Sequence, residues 1–176
     1  AVALAGTHQA AAREAVATLV VYLGIYLFMN LAAFAMVAFL RNALGSEEIA
    51  DYAGLVRRSP WLTVCMAIVM FSLVGLPPLA GFSAKLAIFG ALVQSKLWWL
   101  LFVGAVNTVL SLFYYLRVVK VMVFSPEPLY REAPEIPLTS VAGAYCAALT
   151  FPIVLLLFMF GPLLSWANAA ACNLFR

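Results

Sequence analysis

The chain has 176 residues, of which 66% are hydrophobic and only 10% charged, and its formal net charge is +3. A soluble domain averages about 45–50% apolar and about 25% charged residues, so this composition excludes a water-soluble globule and points to a protein folded in lipid. The small net charge, with no basic run interleaved with aromatics, argues against nucleic acid as a partner.

Cofactor chemistry leaves no trace in the chain either. Cys65, Cys146 and Cys172 lack metal-binding or redox spacing, and His8 stands alone. Cys65 and Cys146 read as small apolar packing residues. There is no Gly-rich dinucleotide fingerprint, no phosphate loop and no HExxH pair. No bound cofactor and no metal are therefore expected in this chain.

The fold class expected is all-α, a polytopic transmembrane helix bundle with one discontinuous helix. Taken in order, residues 1–13 read as the end of a preceding helix and a loop, since AVALAG looks like the last turns of a helix whose start is missing, as in a C-terminal fragment. Residues 14–40 form the first full span, flanked by Arg13 and Arg41. The polar loop 41–59 leaves room for a short helix over 46–55, capped by Ser46. Residues 60–94 are too long for one straight span and too short for two. They read as one discontinuous span broken near 76–82. Residues 97–124 are a further span with Trp98 and Trp99 at one interface and Tyr114, Tyr115 and Arg117 near the far end. The Pro-rich, charged stretch 125–137 is a loop, 138–166 is the last span, kinked at Pro152 and weakened at Gly161-Pro162, and 167–176 is a tail.

Charge bias orients these spans. If 60–94 crosses once, Arg41, Arg57, Arg58, Arg117, Lys120 and Arg131 share one side, against Arg13, Lys96 and Arg176. If it crosses twice, the division evens out to Arg41, Arg57, Arg58, Lys96 and Arg176 against Arg13, Arg117, Lys120 and Arg131. The positive-inside rule favours the single crossing, with loops 41–59 and 125–137 in the cytoplasm.

The broken segment carries the functional signal. GLPPLAGFSAKLAIFG places Gly75, Pro77, Pro78 and Gly81 just ahead of Lys85, the only charge deep within an apolar block. The prolines remove backbone donors and the glycines permit unusual backbone geometry, so the helix should open there. Unwound backbone at membrane depth is tolerated where it is buried in protein or lines water, and discontinuous helices mark ion sites in transporters. A lysine at the centre of a span costs about 2.5–3.5 kcal/mol, which makes Lys85 a functional candidate. The bland alternative is an ordinary loop near an interface with Lys85 snorkelling outward. Two polar rows accompany it. Gly104, Asn107, Thr108, Ser111 and Tyr115 share a face of one span, and Tyr22, Tyr26 and Asn30 share a face of another. Such rows either pack helices or line a wet path, and the second use would make Tyr22, Tyr26, Asn30, Asn107, Ser111 and Tyr115 a hydrated route to Lys85.

GLPPLAGFSAK, followed by WWLLFVGAVNTVLSLFYYLRVV and preceded by YLFMNLAAFAMV and DYAGLVRRSPWLTVCMAIVMFSLVGLPP, resembles the antiporter-like membrane subunits of respiratory complex I over essentially the whole chain. The nearest branch is the N type, also called subunit 2. The M type carries glutamate where this chain has Lys85, and the L type continues into a long lateral helix where this chain stops at Arg176.

The resemblance implies inverted repeats with a broken helix in each, residues 60–94 being the broken helix of the second repeat. It implies that Lys85 is a proton relay on the exit side of a channel, the catalytic residue of this chain, and that the chain is a non-redox subunit of a proton-translocating NADH:quinone oxidoreductase. NADH, flavin, iron–sulfur clusters and quinone would then belong to partner subunits. The partners would be other complex I membrane subunits, the lipid bilayer and protons. The location would be the bacterial inner (plasma) membrane, or alternatively an organellar inner membrane. Two other readings remain open: a subunit of a multi-subunit cation/proton antiporter, and a structural subunit in which Lys85 anchors a neighbour's carboxylate.

Overall fold

The computed structural model describes residues 2–127, 136–137 and 139–174, with the side chains of 2–12, 157 and 172–174 left aside. Expectations for Arg131, Arg176, Ala1 and most of the Pro-rich loop fall outside the described residues. Among those described the protein is all-helical: α1 (Val2–Leu44), a 3-10 turn (Ile49–Tyr52), α2 (Leu55–Arg58), α3 (Pro60–Val74), α4 (Ala80–Gln94), α5 (Trp98–Phe124), α6 (Val141–Phe158) and α7 (Phe160–Leu174).

α1 is a single helix of 43 residues, so no loop interrupts it near Arg13, contrary to the sequence expectation for residues 1–13. The physical reason is local: no proline occurs between Val2 and Leu44, and Ala10, Ala11 and Ala12 are strong helix formers. Gly45, at φ +67, ends it. The buried ladder Ile25, Met29, Ala32, Met36 and Leu40 recurs every three or four residues and faces the buried Leu62, Met66, Val69 and Leu73 of α3 in one core. α1 also packs against α4, α6 and α7, while α3 packs against α5 and α6.

The loop 41–59 contains a 3-10 turn and the four-residue α2 in place of one helix over 46–55. Ser46 Oγ accepts the Glu48 N–H at 3.2 Å, which closes a local turn rather than opening a helix. Gly54, at φ +76, separates the two short elements, and a Cβ there would come within 2.7 Å of Glu127 Cβ. Close to it, Arg58 pairs with Glu127 (3.4 Å) and the Ile136 N–H donates to the buried Ser59 Oγ (2.8 Å). The end of α5 and the approach to α6 are thus held at the same end of the bundle as the start of α3.

This fixes the path of α3 and α4. α5 ends where α3 starts, and α4 passes into α5 through residues 95–97 at the opposite end. Along α5, Gly104 lies against Phe89 of α4, whereas Tyr115 shares a cavity wall with Leu73 of α3. α3 and α4, of 15 residues and about 22 Å each, therefore run end to end once beside α5, whose 27 residues reach about 40 Å.

The C-terminal part departs most from the sequence expectation of one span over 138–166 and a tail over 167–176. α6 continues through Pro152, and the direction changes by 79° between Val141–Leu156 and Phe160–Ala171. Pro162 explains the position of the bend. It has no N–H for the Phe158 carbonyl, yet it fits the first turn of α7, where that donor is not required. α7 then continues as helix to Leu174 and packs against α1.

Outward faces are apolar. Trp99 (74% exposed), Phe113 (69%) and Phe124 (79%) stand on α5 without cover. Large aromatic side chains exposed in this way are normal on a helix facing lipid or another membrane subunit. Arg13–Leu44 and Trp98–Phe124 are long and apolar enough to cross a membrane, and the bent α6–α7 pair meets the same test when taken together.

Candidate functional site

The interruption between α3 and α4 covers residues 75–79, narrower than the 76–82 expected from sequence. α3 stops in a Schellman motif. Gly75 takes the left-handed conformation at φ +85, its N–H donates to Ser72 O (3.0 Å) and the Leu76 N–H donates to Phe71 O (3.0 Å). The Pro77–Pro78 bond is cis. Ala80 and Gly81 are already helical because the first turn of α4 docks on α3: the Gly81 N–H donates to Ser72 Oγ at 3.2 Å, and a Cβ at position 81 would overlap the Ser72 carbonyl oxygen.

The prolines and the lysine are two halves of one arrangement. In a continuing helix the carbonyls of Leu73 and Val74 would accept from the amides of residues 77 and 78. Both positions are proline and have no N–H. The Lys85 ammonium takes their place, donating to Leu73 O at 3.0 Å and Val74 O at 2.9 Å. It also lies at the C-terminal, negative end of the α3 dipole, where a cation is stabilised. Gly75 makes room for the lysine stem, since a Cβ there would stand 3.0 Å from Lys85 Cδ.

Lys85 forms part of the wall of a cavity of about 390 Å3, together with Tyr22, Tyr26, Leu73, Ile88, Phe89, Leu92, Gly104, Asn107, Thr108, Leu110, Ser111, Tyr114 and Tyr115. Both polar rows of the sequence meet here, apart from Asn30. The Asn30 amide donates to Tyr26 O (2.8 Å), and its side chain lines a second cavity of about 300 Å3 nearer the 41–59 loop, with Glu47 and Tyr52. Leu73, Tyr114 and Tyr115 border both cavities. No carboxylate lines the first cavity among the described residues, and the cationic group there is met by the two backbone carbonyls.

On α5, Thr108 Oγ1 donates to Gly104 O (2.9 Å) and Ser111 Oγ to Thr108 O (2.7 Å). Each hydroxyl hydrogen is thus bonded to the helix, leaving oxygen lone pairs as acceptors. The rings of Tyr22 and Tyr26 stack at 5.8 Å, and those of Tyr114 and Tyr115 lie 4.4 Å apart. Sequence reading missed Ser72 and the Ile88, Phe89, Leu92 face of α4. The latter was available in principle, because 85, 88, 89 and 92 follow the i, i+3, i+4, i+7 pattern of one helix face. Tyr114, read from the sequence only as lying near the far end of its span, is also a wall of both cavities.

A family model described as NADH:quinone oxidoreductase/Mrp antiporter, transmembrane, matches residues 2–111. The chain belongs to this family. Members similar to it include NAD(P)H-quinone oxidoreductase subunit 2 of Gloeobacter violaceus, 40% identical over 162 residues, which is 90% of this chain and 32% of that protein. NADH-quinone oxidoreductase subunit N of Methylobacterium nodulans is 40% identical over 167 residues, covering 94% of this chain and 34% of the relative. A chain in the structure of respiratory complex I from Thermus thermophilus with bound Aureothin superimposes with a TM-score of 0.67 at 27% identity, over 82% of this chain and 34% of that one. This family member therefore spans about a third of the length of the curated relatives it matches. Its matched segment holds α1, α3, α4 and the part of α5 that reaches Ser111, and so includes Lys85 and most of the cavity wall.

Proposed function

We propose that this chain serves in a proton-translocating membrane subunit of an NADH:quinone oxidoreductase, and that Lys85 is its proton relay. The observation that carries the reading is the Lys85 ammonium on the two carbonyls freed by Pro77 and Pro78, at the wall of a cavity lined by tyrosine, serine, threonine and asparagine. In lipid an ammonium is costly unless polar groups meet it. The two carbonyls and the end of the α3 dipole stabilise the protonated lysine, and the cavity gives a released proton polar neighbours and room for water. A change in field from neighbouring subunits would shift the balance between the two states. Redox chemistry, with NADH, flavin, iron–sulfur clusters and quinone, belongs in this reading to partner subunits, and this chain is a non-redox part of the translocase in a bacterial inner membrane.

Lys85→Met and Lys85→Arg in the assembled complex test the reading. Both are expected to lower proton translocation coupled to NADH:quinone oxidoreduction severalfold while the complex still assembles. Arginine keeps the charge but essentially never releases its proton. Normal translocation by Lys85→Arg would assign Lys85 a static anchoring role instead. An intact preparation with no NADH:quinone reductase activity would move the chain to the cation/proton antiporter side of its family.

A further inference from the structure

The carbonyls of Leu73 and Val74 are left open by the prolines, whether or not a lysine stands at position 85. Their helical donors would be the amides of residues 77 and 78, which do not exist. The nearby amides are used elsewhere: the Gly75 N–H donates to Phe71 O and Ser72 O, the Leu76 N–H to Phe71 O, and the Leu79 N–H to Leu76 O. The backbone therefore offers two aligned acceptors at the negative end of α3 with no internal donor. An unpartnered buried carbonyl is costly, so the pair demands an outside donor.

We infer that Leu73 O and Val74 O form a cation-acceptor site in its own right, occupied by the tethered ammonium of Lys85, and open to ammonium and small primary alkylammonium ions once that side chain is shortened. Distances of 3.0 and 2.9 Å show one nitrogen donating to both oxygens at once, which requires at least two N–H groups on the cation. Access comes from the adjoining cavity of about 390 Å3, large enough for a small alkylammonium with water. The space vacated by the lysine stem runs past Gly75, whose missing side chain leaves the channel clear. The site shares Lys85 with the relay reading but does not rest on it, because it is defined by backbone oxygens.

The test uses the native membrane complex carrying Lys85→Ala. Ethylammonium, tetramethylammonium and potassium chlorides are compared at equal ionic strength, with the wild type as control. Ethylammonium is expected to raise the thermal midpoint of this variant by about 2 °C or more, in a saturable manner, and to leave the wild type unchanged. Tetramethylammonium lacks N–H donors and should have no effect. Equal stabilisation by potassium would overturn the assignment to N–H donors, and no stabilisation by any of the ions would overturn the site. If Lys85→Ala fails to accumulate, its level in cells grown with ethylammonium is measured instead. A rise specific to ethylammonium supports the site, and no rise overturns it. The relay reading is judged separately, by charge translocation. Saturable stabilisation in a variant that still pumps normally keeps the site and removes the relay. A variant that does not pump and does not respond to ethylammonium keeps the relay and removes the site.

Discussion

A side chain of any kind at position 81 would overlap the carbonyl oxygen of Ser72, and the Gly81 N–H would lose its bond to Ser72 Oγ. The obstacle is backbone, which cannot swing aside as a flexible side chain can. Overpacking typically costs about 1–3 kcal/mol and more where the neighbour cannot move. Gly81→Ala is therefore expected to push α4 off α3 and lower the level of the protein in membranes severalfold, by immunoblot against wild type. A normal level and normal turnover would show that the two helices do not pack as closely as the structure places them. Gly90, where an added Cβ meets nothing within 4 Å, is the matched control: Gly90→Ala should be tolerated. The same residue-level logic explains why Lys85 was visible in the sequence and its partners were not. A charge inside an apolar run stands out, but its acceptors are backbone oxygens 11 and 12 residues earlier, and backbone has no letter of its own.

At the level of the element, the interruption is a balance between two sets of donors for the same carbonyls. Replacing both prolines, Pro77→Ala with Pro78→Ala, restores two amides that can continue α3 for part of a turn and compete with Lys85. On the proposed relay role of Lys85, the expected outcome is a complex that assembles but translocates protons poorly, because the ammonium has lost its acceptors. Each single substitution frees only one amide and should have an intermediate effect, read as protons moved per NADH oxidised. Unchanged translocation in the double variant would mean that the open carbonyls are not what positions Lys85. The α6–α7 bend illustrates the limit of reading elements from punctuation. Pro152 and Gly161-Pro162 both look like breaks, yet α6 runs through the first and the chain turns 79° just ahead of the second. A proline in a helix interior removes one bond and can be carried by packing, and Ile153 and Cys146 of α6 are buried in the core. At the start of a helix a proline costs little, so the break falls there.

For the whole molecule, the contacts of Arg58 with Glu127 and of Ser59 with Ile136 bring loop 41–59 and the two ends of the α5–α6 connection to one end, with residues 95–97 at the other. Exposed positions at each end make this testable in native membranes. With the three native cysteines replaced, Glu48→Cys and Ser95→Cys should label with a membrane-impermeant thiol reagent from opposite faces. Labelling from the same face would mean that α3 and α4 form a re-entrant hairpin. The charge distribution along the sequence already favoured the single passage, because only that path gathers Arg41, Arg57, Arg58, Arg117 and Lys120 on one side.

By itself the sequence determined the class of molecule, the apolar helices, the place where one of them must open and the lysine beside the opening. All of these follow from local chemistry: apolar run length, missing amides and one charge that needs an explanation. Only the tertiary structure decided that α1 continues past Arg13, that α7 turns across α1, and that the tyrosines of α1 and the polar row of α5 face Lys85 across one cavity while Asn30 lines another. Periodicity says which residues share a face of a helix, but not which helix that face meets. That choice belongs to packing between segments far apart in the chain, such as α1 on α4 and on α7, and to close approaches such as Gly81 on Ser72, where the absence of a side chain lets two helices meet.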